Sequence, residues 1–138
     1  MFKTIKANYS AEIVEKKSKF IANLFYVESI EEAEEKIKEI KKKYFDARHN
    51  CFAYRVATKD GITERFSDDG EPSGTAGGPM LTTLSGQNIA NVLVIVTRYF
   101  GGILLGTGGL IRAYTSAVQE SIGKAEFVTK DMGIRIEL

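Results

Sequence analysis

Two segments of the 138-residue sequence hold the residue types most suited to binding or chemistry. The first is Ser67-Asp68-Asp69-Gly70-Glu71-Pro72-Ser73-Gly74-Thr75-Ala76-Gly77-Gly78-Pro79. It sets Asp68, Asp69 and Glu71 within four residues of one another, among residues that fix turns. Clustered carboxylate oxygens suit a hard cation such as Mg²⁺, or a basic partner. The same run also reads as an acidic turn capping a helix that begins near Ser73, where negative charge meets the positive end of the helix dipole. Its spacing matches no familiar metal loop. Ser73 and Thr75 join the three carboxylates as candidate binding residues.

The second segment runs Arg98-Tyr99-Phe100-Gly101-Gly102-Ile103-Leu104-Leu105-Gly106-Thr107-Gly108-Gly109-Leu110-Ile111-Arg112. A strand leads into a glycine-rich loop, and the loop into a helix. Glycines bare the backbone N–H groups and a helix N-terminus adds partial positive charge, so the segment suits an anion such as phosphate. Arg98 and Arg112 add full charges, and Tyr99, Gly101, Gly102, Gly106, Thr107, Gly108 and Gly109 are the accompanying candidates. The segment is neither a P-loop nor a GxGxxG fingerprint. Tight packing of loop on sheet would explain the glycines equally well.

A third run, Asp46-Ala47-Arg48-His49-Asn50-Cys51, puts His49 and Cys51 on one face of a strand. A Cys–His nucleophile is the sharp reading. A buried cysteine acting as a small hydrophobe, with His49 orienting Asp68 or a ligand, is the plainer one. Arg48 and His49 are carried forward as binding candidates. Tyr54, Phe66, Tyr99 and Phe100 are aromatic rings that stack on bases if exposed; Phe66 and Phe100 are expected in the core.

The elements that must position these residues follow from periodicity. Ala11 to Val27 reads as two strands joined near Lys16-Lys17-Ser18-Lys19, with Phe20, Ala22, Leu24 and Tyr26 on one face. Ser29 and Glu32 form a capping box for a helix whose stripe is Ile30, Ala33, Ile37, Ile40 and Tyr44. Glutamates open that helix and Lys41, Lys42 and Lys43 close it, matching the dipole. Asn50 to Ala57 and Ile62 to Phe66 form a hairpin turning at Asp60-Gly61. Ser73 to Leu84 reads as a short helix broken by Pro79. Val92 to Val96 is a continuous apolar run that belongs at the centre of a sheet. Leu110 to Ile122 is a second amphipathic helix, and Ile134 to Leu138 alternates as a strand. Together they predict an α+β fold: a two-layer sandwich with a mixed or antiparallel sheet and helices packed on one face.

Composition narrows the function. Nineteen basic and eighteen acidic side chains leave a net charge of +1, which excludes a histone-like grip on nucleic acid. The single cysteine, Cys51, forms no internal disulfide, so a reducing cytoplasm is the expected location. No run approaches the ~20 apolar residues of a membrane span, and no membrane partner is expected. Ten of the thirteen glycines lie between Gly70 and Gly109, which marks that stretch as the one needing special backbone geometry.

These segments together resemble the IMPACT/YigZ family. The resemblance rests on Lys17-Ser18-Lys19-Phe20-Ile21-Ala22, on Asp46 to Cys51 with Ala53-Tyr54, on Asp68 to Gly77, and on Arg98 to Gly102 continued through Leu105 to Leu110 and Arg112-Ala113-Tyr114. They occur in the family's order and cover most of residues 17–122. Gly78 departs from the pattern, because relatives often carry a basic residue before the proline. The resemblance implies a domain like the second domain of ribosomal protein S5. It implies residues 1–126 as the family's N-terminal-type domain. Residues 127–138 are then a terminal strand or the lead into a ferredoxin-like domain. It also implies a monomeric, non-catalytic module linked to translation, with the ribosome, RNA or a regulatory protein as partner. No cofactor, catalytic residue or metal is implied. The alternative is an enzyme for a small or phosphate-bearing ligand, using the acidic turn and the glycine loop together.

Two geometric expectations follow. The acidic turn and the glycine loop should meet at one end of the sheet. Arg98, carried on a buried strand, should reach Asp68, Asp69 or Glu71, because a buried arginine without a partner is very costly.

Overall fold

Residues 1–131 are described by a computed structural model of the chain. Five antiparallel strands form the main sheet: β2 (Tyr9–Glu15), β3 (Ser18–Tyr26), β4 (His49–Thr58), β5 (Gly61–Ser67) and β6 (Val92–Tyr99). Their order is β2-β3-β6-β4-β5, so β6 occupies the centre. β6 is flanked by β3 through the pair Phe20 and Arg98, and by β4 through His49 and Arg98. The apolar run of β6 explains its place. Val92, Val94 and Val96 bury on one face, and Leu93 and Ile95 on the other.

Both faces of such a strand need cover, and both receive it. Helices α2 (Gly77–Gly86) and α3 (Gly106–Gly123) cover the valine face with Met80, Leu84, Leu110, Ala113, Tyr114 and Ala117. Helix α1 (Ile30–Lys43) covers the opposite face with Ala33, Ile37 and Ile40, against Phe52, Tyr54, Val56, Leu93 and Ile95. The α+β class holds, but the expectation of helices on one face does not. The stripe of α1 shows that it packs and not on which side. A two-stranded ribbon, β1 (Phe2–Ile5) with β7 (Phe127–Lys130), completes the described elements; β1 was not foreseen.

Several local readings are met. Ser29 accepts a hydrogen bond from the Glu32 N–H at 3.0 Å, and the Glu32 carboxylate turns back to the Glu28 N–H. The strand face assigned to Phe20, Ala22 and Leu24 is the one observed. Others change. The short helix starts at Gly77, not near Ser73, and residues before it form turns. Pro79 therefore lies in the first turn, where its missing N–H has no intrahelical partner to lose. Helix α3 starts at Gly106, so Gly106-Thr107-Gly108-Gly109 is its first turn and not a loop. Phe66 and Phe100 are 48% and 38% exposed: Phe66 stands on the edge strand β5 beside the start of α2, and Phe100 follows the last residue of β6. The alternating stretch Ile134 to Leu138 lies outside the described residues.

The turn between β2 and β3 consists of Lys16 and Lys17, with φ of 46° and 67°. Positive φ at both positions matches the twist of a tight hairpin, although glycine or asparagine usually fills it. The Lys17 carbonyl then lies where a Cβ at Gly101 would be, 2.0 Å away. Gly101 thus serves close approach, whereas Gly102 has φ +91° and serves the turn itself. Gly101→Ala should destabilise by at least roughly 1–3 kcal/mol, the range of an overpacked site, because backbone and not a flexible side chain must move. Gly108→Ala should be neutral or mildly stabilising. Its Cβ would meet only the movable Arg112 guanidinium, at 3.4 Å, in a helix that prefers alanine. Urea unfolding of both variants checks the contrast; equal losses would refute it.

Candidate functional site

Strand alternation builds the site. After Val92, Val94 and Val96, the next side chain on that face of β6 is Arg98, whose guanidinium lies over the Phe20 ring at 5.6 Å. Arg98 is 6% exposed, so it needs a partner within the protein. The acidic turn supplies Glu71. Arg98 Nη1 donates to both Glu71 oxygens, at 3.1 and 2.9 Å, and Nε and Nη2 each lie 3.3 Å from Ser18 Oγ. The same Ser18 hydroxyl accepts from the Gly101 N–H at 3.2 Å, which ties the glycine loop to β3. From α3, the Tyr114 hydroxyl donates to Glu71 at 2.5 Å. The turn and the glycine loop therefore meet, and Arg98 contacts one of the three expected carboxylates.

The other carboxylates have separate tasks. Asp68 accepts from the N–H groups of Gly74, Ala76 and Gly77, at 3.0, 3.1 and 2.8 Å, and so caps α2 from eight or nine residues away. Asp69, at φ +41°, accepts from the Asn50 N–H at 2.7 Å and faces Lys41 Nζ at 3.4 Å. Among the described residues no group of three or more His, Cys, Asp or Glu side chains converges to hold a metal ion. Asp68 turns to the start of α2, Asp69 to β4 and Glu71 to Arg98, so the three carboxylates point to different elements.

His49 Nδ1 lies 2.9 Å from the Asp69 carbonyl, which only accepts, so Nδ1 carries the proton. Its Nε2 lies 3.6 Å from Glu71. His49 thus orients the acidic turn. Cys51 donates to the Asp68 carbonyl at 3.1 Å and approaches the Tyr114 hydroxyl at 3.4 Å. Burial pushes the Cys51 thiol far above its ordinary range, which leaves no thiolate for nucleophilic attack. Burial, then Cys51 and Glu71, raise the Tyr114 hydroxyl likewise and keep it a donor.

Beside this cluster lies a cavity of about 380 Å³. Of the sequence candidates it gathers Arg48, His49, Glu71, Arg98, Gly106 and Thr107, walled by Pro72, Phe100, Leu104, Leu105 and Leu110. Helix α3 opens onto it with no side-chain cap and no acidic residue in its first turn. Arg112 and Gly109 line a smaller cavity of about 250 Å³ with Glu15 and Lys16, on the other side of Leu105. Gly108 lies under Arg112. Tyr99 points to the opposite face, where it donates to Asp46 at 2.7 Å; that bond pushes its hydroxyl up to about 12. Ser73 is exposed, and Thr75 is buried with its hydroxyl donating to the Pro72 carbonyl at 2.6 Å.

Ser18 and Tyr114 are the two site residues that the sequence reading passed over. Ser18 looked like a turn residue and Tyr114 like one member of an apolar helical stripe. The signal for both was their place inside the motifs on which the family resemblance rests.

Comparison with known proteins agrees with this geometry. The chain matches the family model described as "Impact N-terminal domain" over residues 16–122. It is 46% identical over 129 residues to "IMPACT family member YvyE" of Bacillus subtilis, covering 94% of this chain and 59% of that one. A crystal structure of a hypothetical protein superposes with a TM-score of 0.87 at 38% identity, covering 94% of this chain and 63% of the other. A structure described as the "two-domain translational regulator Yih1" shares the fold, with a TM-score of 0.56 at 24% identity over 86% of this chain and 47% of that one. The chain spans 52% to 59% of the length of three bacterial relatives it matches. With the signature segments forming one connected cluster and the family model covering residues 16–122, the chain belongs to the IMPACT family through its N-terminal domain.

Proposed function

We propose that this chain is a non-catalytic binding module that acts in the regulation of translation, by contact with the ribosome, RNA or a regulatory protein. The observation that carries this is the division of its polar groups. Those facing inward satisfy one another: Arg98 with Glu71 and Ser18, Tyr114 with Glu71, Asp68 with α2, His49 with Asp69. No activated nucleophile or free acid–base pair is left among them. Those facing outward at the same end are cations without carboxylate partners among the described residues, including Lys16, Lys17, Arg48 and Arg112. Translation as the setting is supported by a fold neighbour described as a translational regulator.

A second reading, an enzyme or binding domain for a small phosphate-bearing ligand, is favoured by one feature: the cavity onto which α3 opens beside Arg48. A bound anion there would find N–H groups and positive charge together. Sedimentation with purified ribosomes tests the first reading. The chain should pellet with them at low ionic strength and be released as salt rises, since cation–phosphate contacts weaken with salt. Pelleting no greater than in the absence of ribosomes contradicts the ribosomal form. Thermal shift with nucleotides tests the second. A ligand at 100 times its Kd should add about 2.7 kcal/mol, lost in Arg48→Ala, and no shift with any nucleotide removes that reading.

A further inference from the structure

Phe45 is 82% exposed, the most exposed of the eight phenylalanines among the large apolar side chains at the surface. It sits in the segment between α1 and β4. Its neighbour Tyr44 meets the Tyr99 ring edge-on at 6.5 Å, and Asp46 on its other side accepts from the Tyr99 hydroxyl. This segment is therefore fixed against the end of β6, and Phe45 is held out by anchored neighbours. Three residues after Phe45, the Arg48 guanidinium lies over the Phe100 ring, 5.3 Å from its centroid. Arg48 makes no ion pair among the described residues, so its planar, charged group is propped on an aromatic ring and turned to solvent.

Further cations lie at the same end of the domain. Helix α1 ends in Lys41, Lys42 and Lys43, of which, among the described residues, only Lys41 meets a carboxylate. The hairpin turn Lys16-Lys17 abuts Gly101 at the neighbouring strand end. The whole chain carries a net charge of only +1, while the opposite end of α1 opens with Glu31 and Glu32. Cations thus outnumber the carboxylates of Asp46 and Asp69 at the end where the exposed ring stands.

We infer that this end of the domain is a single-stranded RNA platform, on which one base stacks on Phe45, a second on the Arg48 guanidinium, and the phosphates between them run along the lysines of α1. The inference rests on the binding-module reading and names its partner. Exposed aromatic rings and arginine planes interleaved with lysines suit single strands, because an unpaired base offers a face and a duplex does not. Stacking needs no particular base, so the platform is sequence-tolerant. Aliphatic exposure at Leu104, 81%, and at its neighbour Ile103, 41%, suits a protein partner instead.

The test uses the full chain and a fluorescent oligouridylate of about 12 nucleotides, within the length one small domain occupies. Binding should be tighter than to an RNA duplex of the same length. Phe45→Ala should weaken it roughly 5- to 100-fold, the effect of one lost stacked base, without lowering Tm, since so exposed a ring packs on little. Arg48→Lys should weaken it at an unchanged salt slope, because the charge stays and the plane goes. Lys42→Ala should reduce the slope of log K against log salt by about 0.7, as one phosphate contact is lost. Absence of oligouridylate binding at low salt, or full binding by Phe45→Ala, overturns the inference. So does a loss carried by Leu104→Ala while Phe45→Ala still binds, which would assign the surface to an apolar protein contact. If ribosomes still pellet the chain when the oligouridylate does not bind, this inference alone falls. If neither binds, the ribosomal and RNA forms of the proposed function fall with it.

Discussion

A guanidinium carried into a core by strand alternation has to be met by a carboxylate, and Glu71 is the group that meets Arg98. Both side chains are nearly sealed from solvent, at 3% and 7% exposure. Removing one partner of such a pair typically costs about 3–5 kcal/mol, because a buried charge is left uncompensated. Glu71 cannot reach Arg98 unless the turn that bears it folds against the sheet. That turn brings Asp68 onto the N-terminus of α2 and Asp69 onto the backbone of β4. Tyr114 draws α3 to the same carboxylate, and Ser18 draws β3 and the glycine loop to the same guanidinium. Two helices, three strands and two loops therefore converge on one ion pair. Each group in the cluster has a hydrogen-bonded partner, which a buried polar network needs if it is to specify a structure and not weaken it.

This economy gives the reactive residue types of this region structural partners. A histidine, a cysteine, a tyrosine and three carboxylates are packed into one region. Each is spent on a neighbour, and burial holds Cys51 and Tyr114 protonated. What the cluster produces is a rigid base beneath a cationic end. The strained Lys16-Lys17 turn, the uncapped first turn of α3 and the Arg48–Phe100 contact all stand on it. A surface held still in this way would lose little entropy on binding a partner, which is the condition the proposed binding role requires.

How much of this was legible in the residues depended on whether a local rule governs them. The β6 run could only be central, and the α1 stripe with its glutamates and lysines could only be a helix. Arg98 was also legible, because burial of its strand demanded a carboxylate and the nearest candidates lay in one turn. The side of the sheet that α1 covers was not legible, since both faces of β4 and β6 are apolar. The start of α2 was misplaced because Asp68 caps it through space and not from the adjacent position that local patterns describe. The exposure of Phe66 and Phe100 was not legible, because hydrophobicity alone does not tell an edge strand from a central one or a strand from the residue that follows it. Tyr114 was hidden for the opposite reason: a tyrosine in an apolar stripe looks like packing, and only the fold shows its hydroxyl on Glu71.

If the Glu71–Arg98 pair holds these elements together, its two partners must be energetically coupled. The direct measurement is a double-mutant cycle on unfolding stability with Glu71→Gln, Arg98→Met and the two combined. Each single change should cost about 3–5 kcal/mol by leaving a buried group unpaired. The double variant should then lose less than the sum by more than about 1 kcal/mol, since neither charge is left alone. Losses that add to within about 0.5 kcal/mol would show that the two residues act independently, and that the pair is not what this end of the fold depends on.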